Sequence, residues 1–283
     1  MTTLRDHVRD IQARAPTLAR MTVVSLGILA VASVGLLLDD RQLGGAPVWL
    51  KPAKFGLSSA VFLAALAWMV RDMPASRLTR FASATIAWLM VAEILLVTLQ
   101  AARGRQSHFN VDTPMDGTIF STMGLGIAIV WMLSAVLLVQ HLRAPAVDRS
   151  LAMAFRIGLA LHIVGAGVGW VMVQPQPGQV AAIERQERPF RVGAHTVGAP
   201  DGGESLPVTG WSRTHGDLRI PHFIGLHALQ LLPLFVLAIR ALRRRRDDAA
   251  ERSALTLAAG ASVALFATAL LQALAGHPLA PLT

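Results

Sequence analysis

FASATIAWLMVAEILLVTLQ, residues 81–100, is a run of twenty residues of almost continuous apolar character with one ionisable side chain, Glu93. A hydrocarbon layer about 30 Å thick is crossed by roughly 20 residues of α-helix. A helix on a soluble protein would carry a polar face, so this stretch reads as a membrane span. Residues 21–38, 55–70, 118–140, 151–173, 222–242 and 254–274 come close to the same length. The expectation is an all-α integral membrane protein built as a bundle of about seven transmembrane helices, with a long extracytoplasmic loop between helices 5 and 6.

Composition fits that class, since 53% of the 283 residues are hydrophobic and only 15% are charged, more apolar surface than a soluble domain can hide. Cysteine is absent, which excludes disulfides, thiolate ligands, covalent c-type haem and a cysteine nucleophile. A net charge of +9 could suggest a nucleic-acid partner, but the basic residues are dispersed over loops, as topology signals are. The expected partners are therefore the lipid bilayer and a small-molecule ligand or substrate, with no nucleic acid; oligomeric state is left open.

If the N-terminus is cytoplasmic, fifteen Arg and Lys residues fall on inner segments and ten on outer ones. The positive-inside rule then predicts a multi-pass protein of the plasma membrane, N-terminus cytoplasmic and C-terminus extracytoplasmic. Leu4, Val8, Ile11 and Ala15 recur at helical spacing among charged residues, so residues 1–20 are expected as an amphipathic cytoplasmic helix, with residues 21–283 as the membrane domain. The first apolar run ends in Asp39 and Asp40 and reads as a retained span, not a cleaved signal. Arg243 to Arg246 read as an inner-face anchor in contact with anionic lipid.

The segment 174–220 is 47 residues long and rich in proline and glycine, with Phe190, His195, Trp211 and His215 among them. A short helix is expected over 179–188. Long structured loops are usually binding loops or lids, so an ordered cap over the outer face is predicted.

Polar groups gather at that same end. At about 1.5 Å per residue, Glu93 lies roughly 10 Å below the outer boundary and His227 at nearly the same depth, so the two could meet. An ionisable group this deep costs about 2.5–3.5 kcal/mol to insert and usually marks a site. Around them the sequence places Lys51, Lys54, Gln100, Arg103, Asn110, Asp112, Asp116, His195 and Gln230. His108, His222 and His227 with an acid are ligand types for zinc, copper or iron, with Glu93 as acid/base or fourth ligand. The spacing is a weakness, because residues 222 and 227 lie about 140° apart around a regular helix. Non-covalent haem is a further option, with His162 on helix 5 and His227 on helix 6 differing by about 8 Å in depth. Retinal is excluded, because a Schiff base needs a lysine within the bundle and the last span has none. The small residues Gly165 and Gly169 predict a close helix contact within the chain.

WLKPAKF (49–55), RGRQSHFN (103–110), GAHTVGAPDGG (193–203) and PHFIGLHALQ (221–230) resemble the signature segments of an uncharacterised family of bacterial multi-pass membrane proteins. The resemblance implies a membrane fold and carries over no reaction, cofactor or site residue. Three readings follow from the residues themselves. The first is a metal-dependent enzyme acting on a lipid-soluble or periplasmic substrate. The second is a transporter or sensor binding a proton or small ligand in the same pocket. The third is a haem-binding membrane redox protein.

Overall fold

A computed structural model describes residues 4–187, 189–242 and 247–279 of the chain; the C-terminal Thr283 and the Arg243 to Arg246 run lie outside them. The helices among the described residues are α1 (Leu4–Arg14), α2 (Pro16–Leu38), α3 (Leu50–Arg71), α4 (Arg77–Ala102), α5 (Pro114–Arg143), α6 (Arg149–Met172), α7 (Pro177–Glu184), α8 (Arg219–Leu242) and α9 (Asp248–Leu274). All but α1 and α7 are long and apolar enough to cross a membrane, seven spans in total. The protein is an all-α multi-pass membrane protein.

The helix ends follow local chemistry more closely than the apolar count does. Ala15 leaves the helical region and Pro16 takes the first position of α2, where its missing N–H is harmless. The amphipathic surface helix therefore stops at Arg14, and the first span begins five residues earlier than hydropathy placed it. Asp10 links α1 to the base of α3, 3.1 Å from Arg14 and 3.6 Å from Arg71. Ser76, Thr113, Asp148 and Asp247 cap α4, α5, α6 and α9 by accepting from backbone N–H groups of the first turn, which satisfies donors that have no partner inside a helix.

Helices α3 and α6 are the most buried spans, and α2, α5 and α9 the most exposed. Leu63, Leu66 and Met69 of α3, Ile86 of α4, Leu137 of α5, Phe155 and Leu159 of α6 and Leu229 of α8 form one apolar core. Contact is most extensive between α6 and α8, and glycine explains it. A Cβ at Gly165 would stand 2.6 Å from the Gly225 Cα, and one at Gly158 would stand 2.8 Å from the Ala228 carbonyl oxygen. Helices in lipid gain little from the hydrophobic effect and associate through such close backbone approach.

The two ends of the bundle differ. On one, the hairpin side, short links join α3 to α4 and α5 to α6. Arg240 of α8 there grips Asp148 at 2.8 Å and the almost fully buried Glu251 at 2.8 Å. Arg156 donates to the carbonyls of His141 and Ala144 at 2.9 and 3.0 Å, closing the end of α5. A shallow cleft beside it is lined by Asp72, His141, Phe155 and Arg156.

The other end is the cap side. A small hairpin of β1 (Gln42–Leu43) and β2 (Ala46–Pro47) turns on Gly44 and Gly45 between α2 and α3. The long segment after α6 opens with α7, two residues earlier than expected and ending at Glu184, because Gln176 and Gln179 form a reciprocal capping box. Strand β3 (Thr196–Val197) then pairs antiparallel with β4 (Gly216–Asp217). Gly193 sits at φ +94, where a Cβ would lie 2.5 Å from the Met172 carbonyl oxygen, so both conformation and space require glycine. Lys54 of α3 donates to the Val208 carbonyl at 3.0 Å. A Cβ at Gly216 would come within 2.0 Å of the Ala273 carbonyl oxygen, which shows how closely β4 lies on the end of α9. The segment is a folded cap.

Candidate functional site

Three segments bring polar side chains together under the cap. Helix α3 enters with Lys51 in its first turn, its ammonium 5.6 Å from the Phe55 ring centre. Helix α4 supplies Glu93, 4% exposed. The connection between α4 and α5 supplies His108, whose Nε2 is 3.7 Å from Glu93 Oε1. That connection is shaped by a rare backbone choice: Phe109 adopts φ +60, uncommon for a bulky side chain. Its buried ring lies edge-on to His195, 4.8 Å between centres, and to Phe120 at 5.9 Å. The cap holds this strand-like segment through the Val192 N–H, which donates to the Phe109 carbonyl at 2.9 Å, and through the Asn110–Arg191 bridge.

The histidines share one pattern. His195 Nδ1 is 3.1 Å from Asp201 Oδ2, His222 Nδ1 is 2.8 Å from the Gly165 carbonyl and His108 Nδ1 is 3.1 Å from Ser107 Oγ. In each ring Nδ1 is engaged, which orients the imidazole and leaves Nε2 to face something else. Asp201 also accepts from the backbone N–H groups of His195 and Thr196 and from Arg191 at 3.1 Å. Burial alone would raise its carboxyl, but the His195 hydrogen bond and those backbone donors outweigh this and hold it below the ordinary carboxylate range. Burial, reinforced by the positive charge of Lys51 and the neighbouring His195 and His222 rings, pushes His108 well below the usual imidazole range. Burial likewise lowers His195 against the pull of Asp201.

Other residues singled out from the sequence build the frame. Asp116, fully buried, accepts from Gln100 at 2.9 Å, from Arg103 at 3.0 Å and from Thr113 at 2.8 Å, while Arg103 also donates to Gln100. This network ties the end of α4 to the start of α5. Asn110 donates to the Gln106 carbonyl at 3.0 Å, and Asp112 pairs with Arg105 at the surface. Buried Gln230, with its amide nitrogen turned inward, reaches the His227 and Leu226 carbonyls, each at 3.1 Å.

Equal depth does not bring Glu93 and His227 together. His227 Nδ1 engages the Phe223 carbonyl one turn back at 2.8 Å, and its ring lies 4.0 Å from the Phe223 ring, which in turn meets Trp211. Phe223 is exposed, so His227 belongs to the outer flank of α8, while His222 faces α6. The angular separation of the two residues around the helix has this consequence. Among the described residues no three His, Asp or Glu side chains group closely enough to hold a metal ion, so His108, His222 and His227 are not gathered around one point. His162 is stacked flat on Phe62, 4.7 Å between centres and 3° between planes, with Nδ1 3.0 Å from the Leu226 carbonyl. A haem plane would have to displace Phe62.

Asp201, Ser107, Phe55, Arg219 and Asp217 were not singled out from the sequence. For Asp201 a signal existed in its place within the turn-forming APDGG (199–203), where an aspartate accepting backbone N–H groups is expected. Arg219 pairs with the nearly fully buried Asp217 at 2.6 Å, across two residues at the start of α8. No protein family, curated protein or solved structure matches the chain.

Proposed function

We propose that this membrane protein belongs to the transporter or sensor class, taking a proton or a small ligand into the site beneath the cap, with Glu93 and His108 as the exchanging groups. The observation that carries this reading is Glu93. It is 4% exposed and makes no hydrogen bond among the described residues, and His108 Nε2 stands 3.7 Å away. An acid placed so deep is expensive to insert, and a purely structural one would be tied off by donors, as Asp116 is. Following the arginine distribution, we place the cap side outside a bacterial inner membrane and α1 in the cytoplasm.

Infrared difference spectroscopy on protein in lipid nanodiscs tests the reading. A pH jump without added ligand should change a carboxyl carbonyl band that shifts in D2O and is missing from Glu93→Gln. A Glu93 band that fails to respond or exchange would mark a sealed structural acid and overturn the proposal.

A second reading, the metal-dependent enzyme, is favoured by the histidine pattern, because metal-binding imidazoles usually have their other ring nitrogen fixed by a carbonyl or carboxylate. It would draw on His108, His195 and His222, with His227 left out, and would need those rings to move closer together. Metal analysis of protein purified without chelators tests it: less than about a tenth of an equivalent of any transition metal removes it.

A further inference from the structure

The charges beneath the cap do not cancel. Arg191 and Arg219 are each bonded to a carboxylate of their own, Asp201 at 3.1 Å and Asp217 at 2.6 Å. Lys54 is exposed and committed to the carbonyls of Val208 and Thr209. Lys51 differs from all three. It makes no hydrogen bond or ion pair among the described residues, and it lies over an aromatic ring while its electrostatic neighbours include Glu93, Lys54, Arg191 and Arg219. Setting aside the two arginine pairs leaves two ammonium groups against one carboxylate, an excess of one positive charge. Glu93, although it acts on Lys51, is not within ion-pair distance of it and lies instead 3.7 Å from His108. Opposite charges that attract yet stay apart, each without a hydrogen bond, leave three ammonium donors with no protein acceptor. Lys51 is half-buried, so its ammonium has lost part of its water, and a bound anion supplies the missing acceptor through charge-assisted hydrogen bonds.

We infer that the site beneath the cap takes a small monocarboxylate, its carboxylate on the Lys51 ammonium and its apolar body along Phe55. This rests on the ligand-binding reading above and adds the chemical class. One negative charge matches the excess of one positive charge. A dianion would add further repulsion from Glu93. The Phe55 ring, which meets His108 edge-on at 5.5 Å between centres, supplies an apolar wall that a bare inorganic anion would not use.

Calorimetric titration of the full chain in zwitterionic-lipid nanodiscs tests the inference with three probes: benzoate, its neutral counterpart benzamide, and inorganic phosphate. Benzoate should bind saturably and at least about tenfold more tightly than either of the others. Lys51→Gln should weaken benzoate binding by about tenfold or more, whereas Lys51→Arg, which keeps the charge, should retain most of it. Glu93→Gln should bind benzoate more tightly than the wild type, since a repelling carboxylate has gone. Benzamide binding as well as benzoate, phosphate binding better, unchanged binding in a normally folded Lys51→Gln, or no binding of benzoate at all would each overturn the inference. None of these results bears on the infrared response of Glu93, which is read without ligand, so the two proposals fail separately.

Discussion

Imidazoles kept neutral by burial make a fold sensitive to acid, and His108 and His195 are two such groups. Both are depressed below the ordinary value of 6.5. As pH falls below that value the unfolded chain takes up protons that the folded chain resists, so stability declines on acidification and is regained above about pH 6.5. Asp201 acts in a lower window: its depressed carboxyl stabilises the fold above 3.8, and that contribution is lost as pH falls further. The thermal midpoint should therefore drop as pH is lowered from about 7 to about 5, and His108→Gln, with no ring to protonate, should flatten the slope. Equal slopes in both proteins would show that His108 titrates as if in water. Asp116 gives a test away from the site. Replacing it with alanine leaves Gln100, Arg103 and Thr113 without their common acceptor, and unfolding should become easier by about 1–3 kcal/mol. Glu93, His108 and Lys51 could be found from sequence because an ionisable group in or beside an apolar run is conspicuous. Asp201 could not be ranked, because a loop aspartate acquires meaning only once its neighbours are known.

At the scale of elements, the spans were legible because twenty apolar residues have few other uses, while their ends were set by groups that hydropathy ignores. Pro16 and the caps Ser76, Thr113, Asp148 and Asp247 add turns of helix at the membrane boundary. Which helices touch was less legible. Gly165 and Gly169 announced a close contact, but only Gly165 meets a partner glycine; a Cβ at Gly169 would stand 3.7 Å from the His222 ring. This gives a paired prediction. Gly165→Ala forces backbone against backbone and should lower stability by about 1–3 kcal/mol. Gly27→Ala, with nothing within 4 Å of the new methyl, should be close to neutral. Thermal unfolding of the two variants in the same detergent compares them directly, and equal stability would mean that α6 and α8 sit further apart than described here.

For the whole molecule, the class was legible and the cap was not. Its need for order could be argued from Trp211 and the prolines, but its fold depends on contacts such as Lys54 to Val208, 154 residues apart, which no local pattern encodes. Limited proteolysis of intact protein should spare residues 193–211, where Gly193, Asp201 and the β3–β4 pair hold the backbone, and rapid cutting there would contradict a docked cap. A reporter fused after residue 283 should read as extracytoplasmic, since the end of α9 lies against β4 on the cap side, the side we propose faces outward; a cytoplasmic signal would invert the whole arrangement.

The contact of Gly216 with the end of α9 also bears on how the protein is made. Synthesis runs from the N-terminus, so the 173–218 segment and both of its strands are complete before α8 and α9 have been translated. The surface on which β4 rests, the Ala273 carbonyl, does not yet exist at that stage. A chain interrupted before Asp248 keeps the links from the cap to α3 and to the α4–α5 connection but gives β4 nothing to rest on. Completion of the final span is thus the step at which β4 gains its seat.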